Sequence, residues 1–294
     1  AGYLHATIGA VTGMVPVVII PDQLNLLVIT PGSISVTAGT TQAFSARGFD
    51  QYSNLIPGLS FNWTTSVGSV SSSGVLTAQT LASVLGHVRV AIGLVSAESS
   101  VYIIPAALDR IDMDPVSLNA TAGMSYSFSA TGFDRYNNII PGLAFNWTTT
   151  VGAITGPGQF TAQEKAAVVG FVKATIDTVA GTTMVVIIPD QLTMIRITPS
   201  AVSVTANTTH EFSAAGYDRY NNTVTGISFN WTTTVGAMNA STLSAQIPAS
   251  VLGRVRATIG LVSGDSSVYI IPAALDHIDL TPASLTATAG MQYA

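Results

Sequence analysis

Short runs that alternate apolar and polar residues dominate the chain. Leu118 and Ala120 alternate with polar neighbours, and Phe128, Ala130 and Gly132 do the same, which is typical of strands with one buried and one wet face. No long stretch carries an apolar period of 3.6 residues, and β-branched residues with Ser, Gly and Ala are abundant. Turn signals separate the runs roughly every eight to twelve residues, so the pattern predicts an all-β fold of the sandwich type.

This strand pattern repeats along the chain. The stretch GFDRYNNIIPGLAFNWTTTVG (132–152) returns as GFDQYSNLIPGLSFNWTTSVG (48–68) and as GYDRYNNTVTGISFNWTTTVG (216–236), and successive copies begin 84 residues apart. A period of this length exceeds that of solenoid units and approaches the size of a small domain. Each repeat is therefore predicted to fold around its own core.

The period divides the chain into whole repeats and fragments. Residues 1–23 correspond to the end of a preceding repeat, 24–107, 108–191 and 192–274 are three whole repeats, and 275–294 correspond to the beginning of a following one. Alternate repeats resemble each other more than neighbours do, and the junctions alternate between Pro-Asp-Gln-Leu and Pro-Ala-Ala-Leu-Asp. We expect a duplicated two-repeat unit within a longer array.

The junctions contain no flexible linker. Pro189-Asp190-Gln191 leads directly into Leu192 of the next repeat, so consecutive repeats are predicted to couple stiffly, end to end, as a rod. The closing strand VYIIP (101–105) is apolar on both faces. Either a neighbour covers its outward side or it is ordinary β-branched surface.

Composition excludes several classes of function. The chain has no cysteine, a formal net charge of −5 and only 9% charged residues, which argues against disulfides, zinc ribbons and nucleic-acid binding. The most apolar run, Thr7 to Pro21, aligns with mid-chain segments that carry Ser, Glu and Thr. It therefore predicts a strand, a turn and a strand, and no transmembrane or targeting segment is expected here.

The repeated stretch predicts a loop and a core strand. Asp134 can accept hydrogen bonds from backbone amides two residues on, and Asn137 and Asn138 tolerate left-handed backbone angles. The tryptophan that follows is expected at the centre of each core, where its loss should cost about 3–5 kcal/mol. These predicted core residues are Trp63, Trp147 and Trp231.

The order ITPxSxSVTAG, FSAxGFDxYxN, FNWTT-VG and a closing VYIIP strand resembles the bacterial immunoglobulin-like (Big-type) repeats, which occur in tandem in invasin- and intimin-like adhesins and in archaeal surface proteins. The resemblance covers essentially the whole chain. It implies tandem immunoglobulin-like β-sandwiches and an extracellular, cell-surface location. Its motifs specify a sandwich better than an activity, so the function inferred from it is analogy.

Asn-x-Ser/Thr sequons predict N-linked glycans. Because Phe and Trp flank the asparagine of F-N-W-T and face the core, that asparagine should face solvent, as an acceptor must. Chance Asn beside abundant Thr is the alternative, and Asn207 also replaces a turn glycine. The candidate sites are Asn62, Asn119, Asn146, Asn207, Asn221, Asn230 and Asn239.

Two sets of carboxylates are candidate Ca²⁺ ligands. Asp109, Asp112 and Asp114 cluster beside a junction, and Asp134 has Asn138 four residues on, which could supply oxygen ligands. One carboxylate in a loop is few, so Asp134 is better explained as a turn residue. No other cofactor is expected.

No catalytic constellation is visible. His5 and His87 align with Arg, Lys, Tyr or Phe in the other repeats, and no Ser-His-Asp, Gly-x-Ser-x-Gly or paired-carboxylate arrangement accompanies the abundant Ser and Thr. We therefore expect a non-enzymatic structural protein that self-associates into a cell-surface filament, sheath or surface layer. The alternatives are an adhesin stalk and, more weakly, the spacer of a secreted glycan-active enzyme.

Overall fold

The structure is a computed structural model that describes residues 2–279, 281, 284 and 286–292. All regular secondary structure within these residues is β-strand. The all-β prediction is confirmed. An exposed hairpin, β1 (Gly2–Ile8) and β2 (Val11–Val17), precedes three sets of strands that follow the sequence repeats.

The strands of the three repeats correspond closely. The first repeat has β3 (Leu26–Thr30), β4 (Ser33–Thr37), β5 (Thr41–Ala43), β6 (Ser45–Phe49), β7 (Leu55–Ile56), β8 (Asn62–Thr65), β9 (Gly68–Val70), β10 (Val75–Ala78), β11 (Val84–Ile92) and β12 (Val95–Ile104). The second has β13 (Leu108–Asp114), β14 (Ser117–Thr121), β15 (Ser125–Ser127), β16 (Ser129–Asp134), β17 (Asn146–Thr149), β18 (Gly152–Thr155), β19 (Gln159–Ala162), β20 (Val168–Ile176) and β21 (Val179–Ile188). The third has β22 (Met194–Thr198), β23 (Ala201–Thr205), β24 (Thr209–Glu211), β25 (Ser213–Tyr217), β26 (Thr223–Val224), β27 (Asn230–Thr233), β28 (Gly236–Asn239), β29 (Thr242–Ala245), β30 (Val251–Ile259) and β31 (Val262–Ile271).

Each repeat builds the same immunoglobulin-like set of sheets. In the first repeat the orders are β4-β12-β11-β8, β3-β6-β7 and β5-β10-β9, and in the third they are β23-β31-β30-β27, β22-β25-β26 and β24-β29-β28. The second has β14-β21-β20-β17, β13-β16 and β15-β19-β18. The hairpin β11–β12 is antiparallel, whereas β4 runs parallel to β12, with Ser33 opposite Ser100.

Side chains from these sheets meet in one core in the first repeat and in one core in the third. Leu27 and Leu76 from the three-stranded sheets join Val90 and Ile103 of the four-stranded sheet in the first cluster, and each is at most 3% exposed. The third repeat has the equivalent cluster around Leu243. This is sandwich packing, in which alternate residues of facing sheets interdigitate.

The tryptophans lie at the margin of the cores and not at their centres. Trp63 and Trp231 are half-buried and pack against the buried clusters, and Trp147 is half-buried as well. The indole of Trp63 covers the turn at Gly74, where a Cβ would come within 2.9 Å of the ring. The largest fully buried side chain is instead Phe160. The alternation predicted which way tryptophan points but not how deep it lies.

Contacts group the chain into two compact units. One contains Ala1–Val116, Phe128–Thr148 and Lys173–Thr183, and the other contains Ser117–Ser127, Thr149–Val172 and Met184–Ala294. The junction of the first and second repeats therefore lies inside one unit, and that of the second and third inside the other.

Candidate functional site at the repeat junctions

The Asp-x-x-x-Asn loop is organised by its carboxylate. Asp134 Oδ1 accepts hydrogen bonds from the amides of Tyr136 (2.8 Å) and Asn138 (2.9 Å), and the Asn138 side chain donates to Oδ2 (2.8 Å). Asn137 has a left-handed backbone, with φ of 66°. The predicted ordered turn is confirmed, except that Asn138 is not left-handed. Asp50 with Asn54 and Asp218 with Asn222 repeat the arrangement.

The same carboxylate holds the linker. Asp134 Oδ2 accepts the amide of Ala106 (2.8 Å), the residue immediately after Pro105. Asp50 accepts the amide of Asp22 (2.9 Å), and Asp218 accepts that of Asp190 (2.9 Å). Each carboxylate thus accepts four hydrogen bonds and ties the chain entering the repeat to the loop inside it.

The asparagine of the loop reaches back into the preceding repeat. Asn138 Oδ1 accepts the amide of Ala82 (2.9 Å), and its Nδ2 donates to the carbonyl of Thr80 (2.8 Å). Asn138 is 8% exposed. We call Asp134, Asn138 and their linker and preceding-repeat partners the first clasp.

The second clasp has the same form. Asn222 Oδ1 accepts the amide of Ala166 (2.8 Å), its Nδ2 donates to the carbonyl of Glu164 (2.7 Å), and Asp218 is the carboxylate. Both clasps connect consecutive repeats through side-chain amides that satisfy a backbone donor and a backbone acceptor. Asn138 is buried, whereas Asn222 is half-buried.

A tyrosine beside each clasp covers a glycine turn of the preceding repeat. Tyr136 packs against the core of the first repeat, and a Cβ at Gly39 would overlap its hydroxyl. Tyr220 covers Gly123 in the same way. The first repeat's own tyrosine, Tyr52, is 72% exposed. The glycines are required here both for their left-handed backbone and for this close approach.

The carboxylates of all three Asp-x-x-x-Asn loops are held ionised. Burial opposes the charge of Asp50, but hydrogen bonds from the Asn54 side chain and from the amides of Asp22, Asn54 and Tyr52 outweigh it and lower its pKa from 3.8 to about 2. The pKa values of Asp134 and Asp218 are lowered for the same reasons. An ionised carboxylate that accepts amide hydrogen bonds is favoured by those bonds.

The structure does not gather the Ca²⁺ candidates into one site. Asp112 forms an ion pair with Arg110 (3.1 Å), Asp109 and Asp114 are exposed, and the oxygens of Asp134 accept protein donors. Among the described residues, no group of three His, Cys, Asp or Glu side chains could hold a metal.

The sequon asparagines are all exposed. Asn62, Asn146 and Asn230 open β8, β17 and β27, which form an edge of each four-stranded sheet. Asn207 has a left-handed φ of 62°, as its alignment with turn glycines predicted.

Comparison with known proteins gives one partial similarity in sequence and several in structure. No family model matches the chain. It is 28% identical over 244 residues to Ice-binding protein 1 of Shewanella frigidimarina, covering 80% of this chain and 26% of that protein. The chain thus spans about a quarter of the curated relative it matches.

Similar solved structures include a surface-layer protein, an adhesin and a third bacterial protein. They are domains 1–6 of surface-layer protein SbsC (TM-score 0.30, 15% identity, 87% of this chain and 41% of that one), the Escherichia coli adhesin FdeC (0.48, 17%, 87% and 100%) and Yersinia pseudotuberculosis InvD (0.42, 19%, 86% and 86%).

Among the described segments, none is a helix with the length and apolar character needed to span a membrane.

Proposed function

We propose that the chain is a structural part of an extracellular, cell-surface protein: a stiff array of immunoglobulin-like repeats that forms or belongs to a filament, sheath or surface layer. The observation that carries this proposal is the clasp, which occurs at both junctions with the same donors and acceptors. On this proposal each of the segments 24–107, 108–191 and 192–274 is a domain.

The chemistry of the clasps supports stiffness. Bending a junction would strip partners from a side-chain amide, a backbone amide and a backbone carbonyl, and each lost hydrogen bond costs about 1 kcal/mol. It would also expose the tyrosine that covers the glycine turn. Because no Gly/Ser linker separates the repeats, little slack remains for independent motion.

The surface supports association with further copies. Only 9% of the residues are charged, and Leu85, Leu94, Leu252 and Leu261 are exposed by 73% or more. Open strand edges usually carry Lys or Pro against unwanted pairing, but the chain has only two lysines, Lys165 and Lys173. We propose that these repeats pair with each other in the assembled state.

A second candidate is the stalk of a surface adhesin. The similarity to an ice-binding protein of which the chain covers only a quarter favours it, because the remainder of such a protein has room for a separate binding region. On this alternative the repeats carry that region away from the cell and do not self-associate. Negative-stain electron microscopy at high protein concentration distinguishes the two, since only the first candidate gives fibres or sheets.

The stiffness itself is tested by pulsed electron paramagnetic resonance on the full chain. The absence of cysteine lets spin labels be placed cleanly, for example at the exposed Ser72 and Thr178. We expect a narrow distance distribution that broadens in Asn138→Ala, because two contacts to the preceding repeat are lost. Asn54→Ala is the matched control, since Asn54 bonds its own Asp50 but has no described contact with a preceding repeat. A broad wild-type distribution, or equal broadening by both variants, would refute a stiff junction.

We also propose that the repeated sequon asparagines carry N-linked glycans. Asn62, Asn146 and Asn230 are exposed on edge strands, where a glycan would obstruct edge-to-edge pairing at that strand. Peptide mass spectrometry of protein from its natural source, before and after enzymatic deglycosylation, should show all three occupied. Unmodified peptides spanning these sites would remove glycans from the proposal.

A further inference from the structure

The second clasp contains an ion pair that the first lacks. In the second, the residue after the carboxylate, Arg219, places Nε 2.9 Å from Oδ2 of Asp190, whose side chain is only 11% exposed. Asp190 also gives its amide to Asp218. Linker, loop and ion pair therefore converge on one residue of the junction.

The first clasp lacks this ion pair. Its linker residue is Ala106, and Arg135, the equivalent of Arg219, makes no ion pair within the described part of the chain. Arg135 instead donates to the hydroxyl of Tyr136 (2.7 Å). Both arginines stack on the neighbouring tyrosine, at 4.7 Å for Arg135 and 4.8 Å for Arg219. The second junction thus has an ion pair between linker and loop where the first has a hydrogen bond within the loop.

At the Pro-Asp linker that precedes the first repeat, a neutral donor takes the place of the arginine. The side chain of Gln51, which occupies the position of Arg219, donates to Oδ2 of Asp22 (2.8 Å). A donor therefore faces the linker carboxylate in both Pro-Asp junctions. At the Pro-Ala junction the residue after the proline is Ala106, and the first carboxylate is Asp109, three residues further on.

We propose that the linker aspartate and the residue after the clasp carboxylate form a lock specific to the Pro-Asp class of junction. Neighbouring repeats are then coupled more tightly there than at Pro-Ala junctions, and coupling alternates with a two-repeat period. A linker aspartate such as Asp190 requires a hydrogen-bond donor at the position of Arg219 in the following repeat. A linker alanine such as Ala106 does not require one. The inference deepens the proposed stiff array and rests on it.

Hydrogen exchange in the full chain tests the lock. The amides of Ala82 and Ala166 each bond to an asparagine of the next repeat, so their exchange reports the opening of the first and second junctions separately. We expect Arg219→Ala to speed exchange at Ala166 about threefold to tenfold, as for a partly buried, hydrogen-bonded ion pair. Arg135→Ala removes the same stacking, together with the hydrogen bond to the Tyr136 hydroxyl, but no ion pair, and should leave Ala82 nearly unchanged. Core amides of β30 and β31 serve as the check on global stability.

A gain-of-function variant completes the test. Ala106→Asp places a carboxylate where Arg135 can reach it, and should slow exchange at Ala82 by a similar factor. If both arginine variants change their junctions equally, or Ala106→Asp has no effect, the lock is refuted while the stiff array stands. If both amides exchange without protection in the wild type, the stiff array fails with it.

Discussion

Asp134→Ala is expected to lower the free energy of unfolding by about 3–5 kcal/mol, the largest effect of any single polar substitution in the first junction. The Asp134 side chain is fully buried and accepts from the amides of Ala106, Tyr136 and Asn138 and from the Asn138 side chain. Alanine leaves these donors without a partner and frees both the loop and the linker. Urea denaturation followed by circular dichroism measures the change.

The pH dependence of stability gives this prediction a second readout. Because the folded pKa of Asp134 lies below its ordinary value of 3.8, its contribution is complete above about pH 4 and is lost as the pH falls through the lowered folded pKa. Asp134→Ala should therefore shrink the stability lost on acidification. Asp50, Asp218 and Asp265, whose pKa values are also lowered, contribute to the loss that remains. Asp112→Ala, at an exposed aspartate, is the control and should change stability by less than about 1 kcal/mol. An Asp134→Ala protein that matches this control would contradict the clasp.

Phe160→Ala is expected to cost about 3–5 kcal/mol, because it removes the largest fully buried side chain and leaves a cavity. Trp147→Ala should cost less, about 2–3 kcal/mol, since the indole is only half-buried. Both residues lie in the second repeat, so the pair compares core depth in one sandwich. Denaturation of the two variants under identical conditions measures the difference. If Trp147→Ala were the less stable of the two variants, tryptophan and not Phe160 would be the main core residue, and the prediction would be wrong.

Alternation of apolar and polar residues in the sequence was sufficient to predict the strands and their buried faces. It was not sufficient to predict how deep a side chain lies in the core. Phe128 and Gly132 are buried and Ser129 is exposed, as period-two patterning predicts. How deep Trp63 lies depends on the length of its strand and on the turn at Gly74 that its ring covers, which are tertiary properties. The parallel pairing of β4 with β12 was also beyond the pattern, because alternation carries no information on strand direction.

The clasp shows a different limit. Turn chemistry predicted that Asp134 organises its own loop, and this is confirmed. The sequence did not reveal that Asn138 binds the preceding repeat, because its partners are the backbone groups of Thr80 and Ala82. Backbone donors and acceptors are common to nearly all residues, so they leave no signal in the identity of the partner. The only available sign was the recurrence of Asn four residues after each Asp.

The hydrogen bond between each carboxylate and the linker also fixes the number of residues between the proline and the loop. In all three repeats the donor is the first amide after the proline, in Asp22, Ala106 and Asp190. One inserted or deleted residue would bring a different amide to the carboxylate and shift the next repeat out of reach of its asparagine. Recombination between copies of the gene can therefore lengthen or shorten such a protein only by whole repeats. Copy number is left free to vary in evolution, whereas the step between copies is fixed.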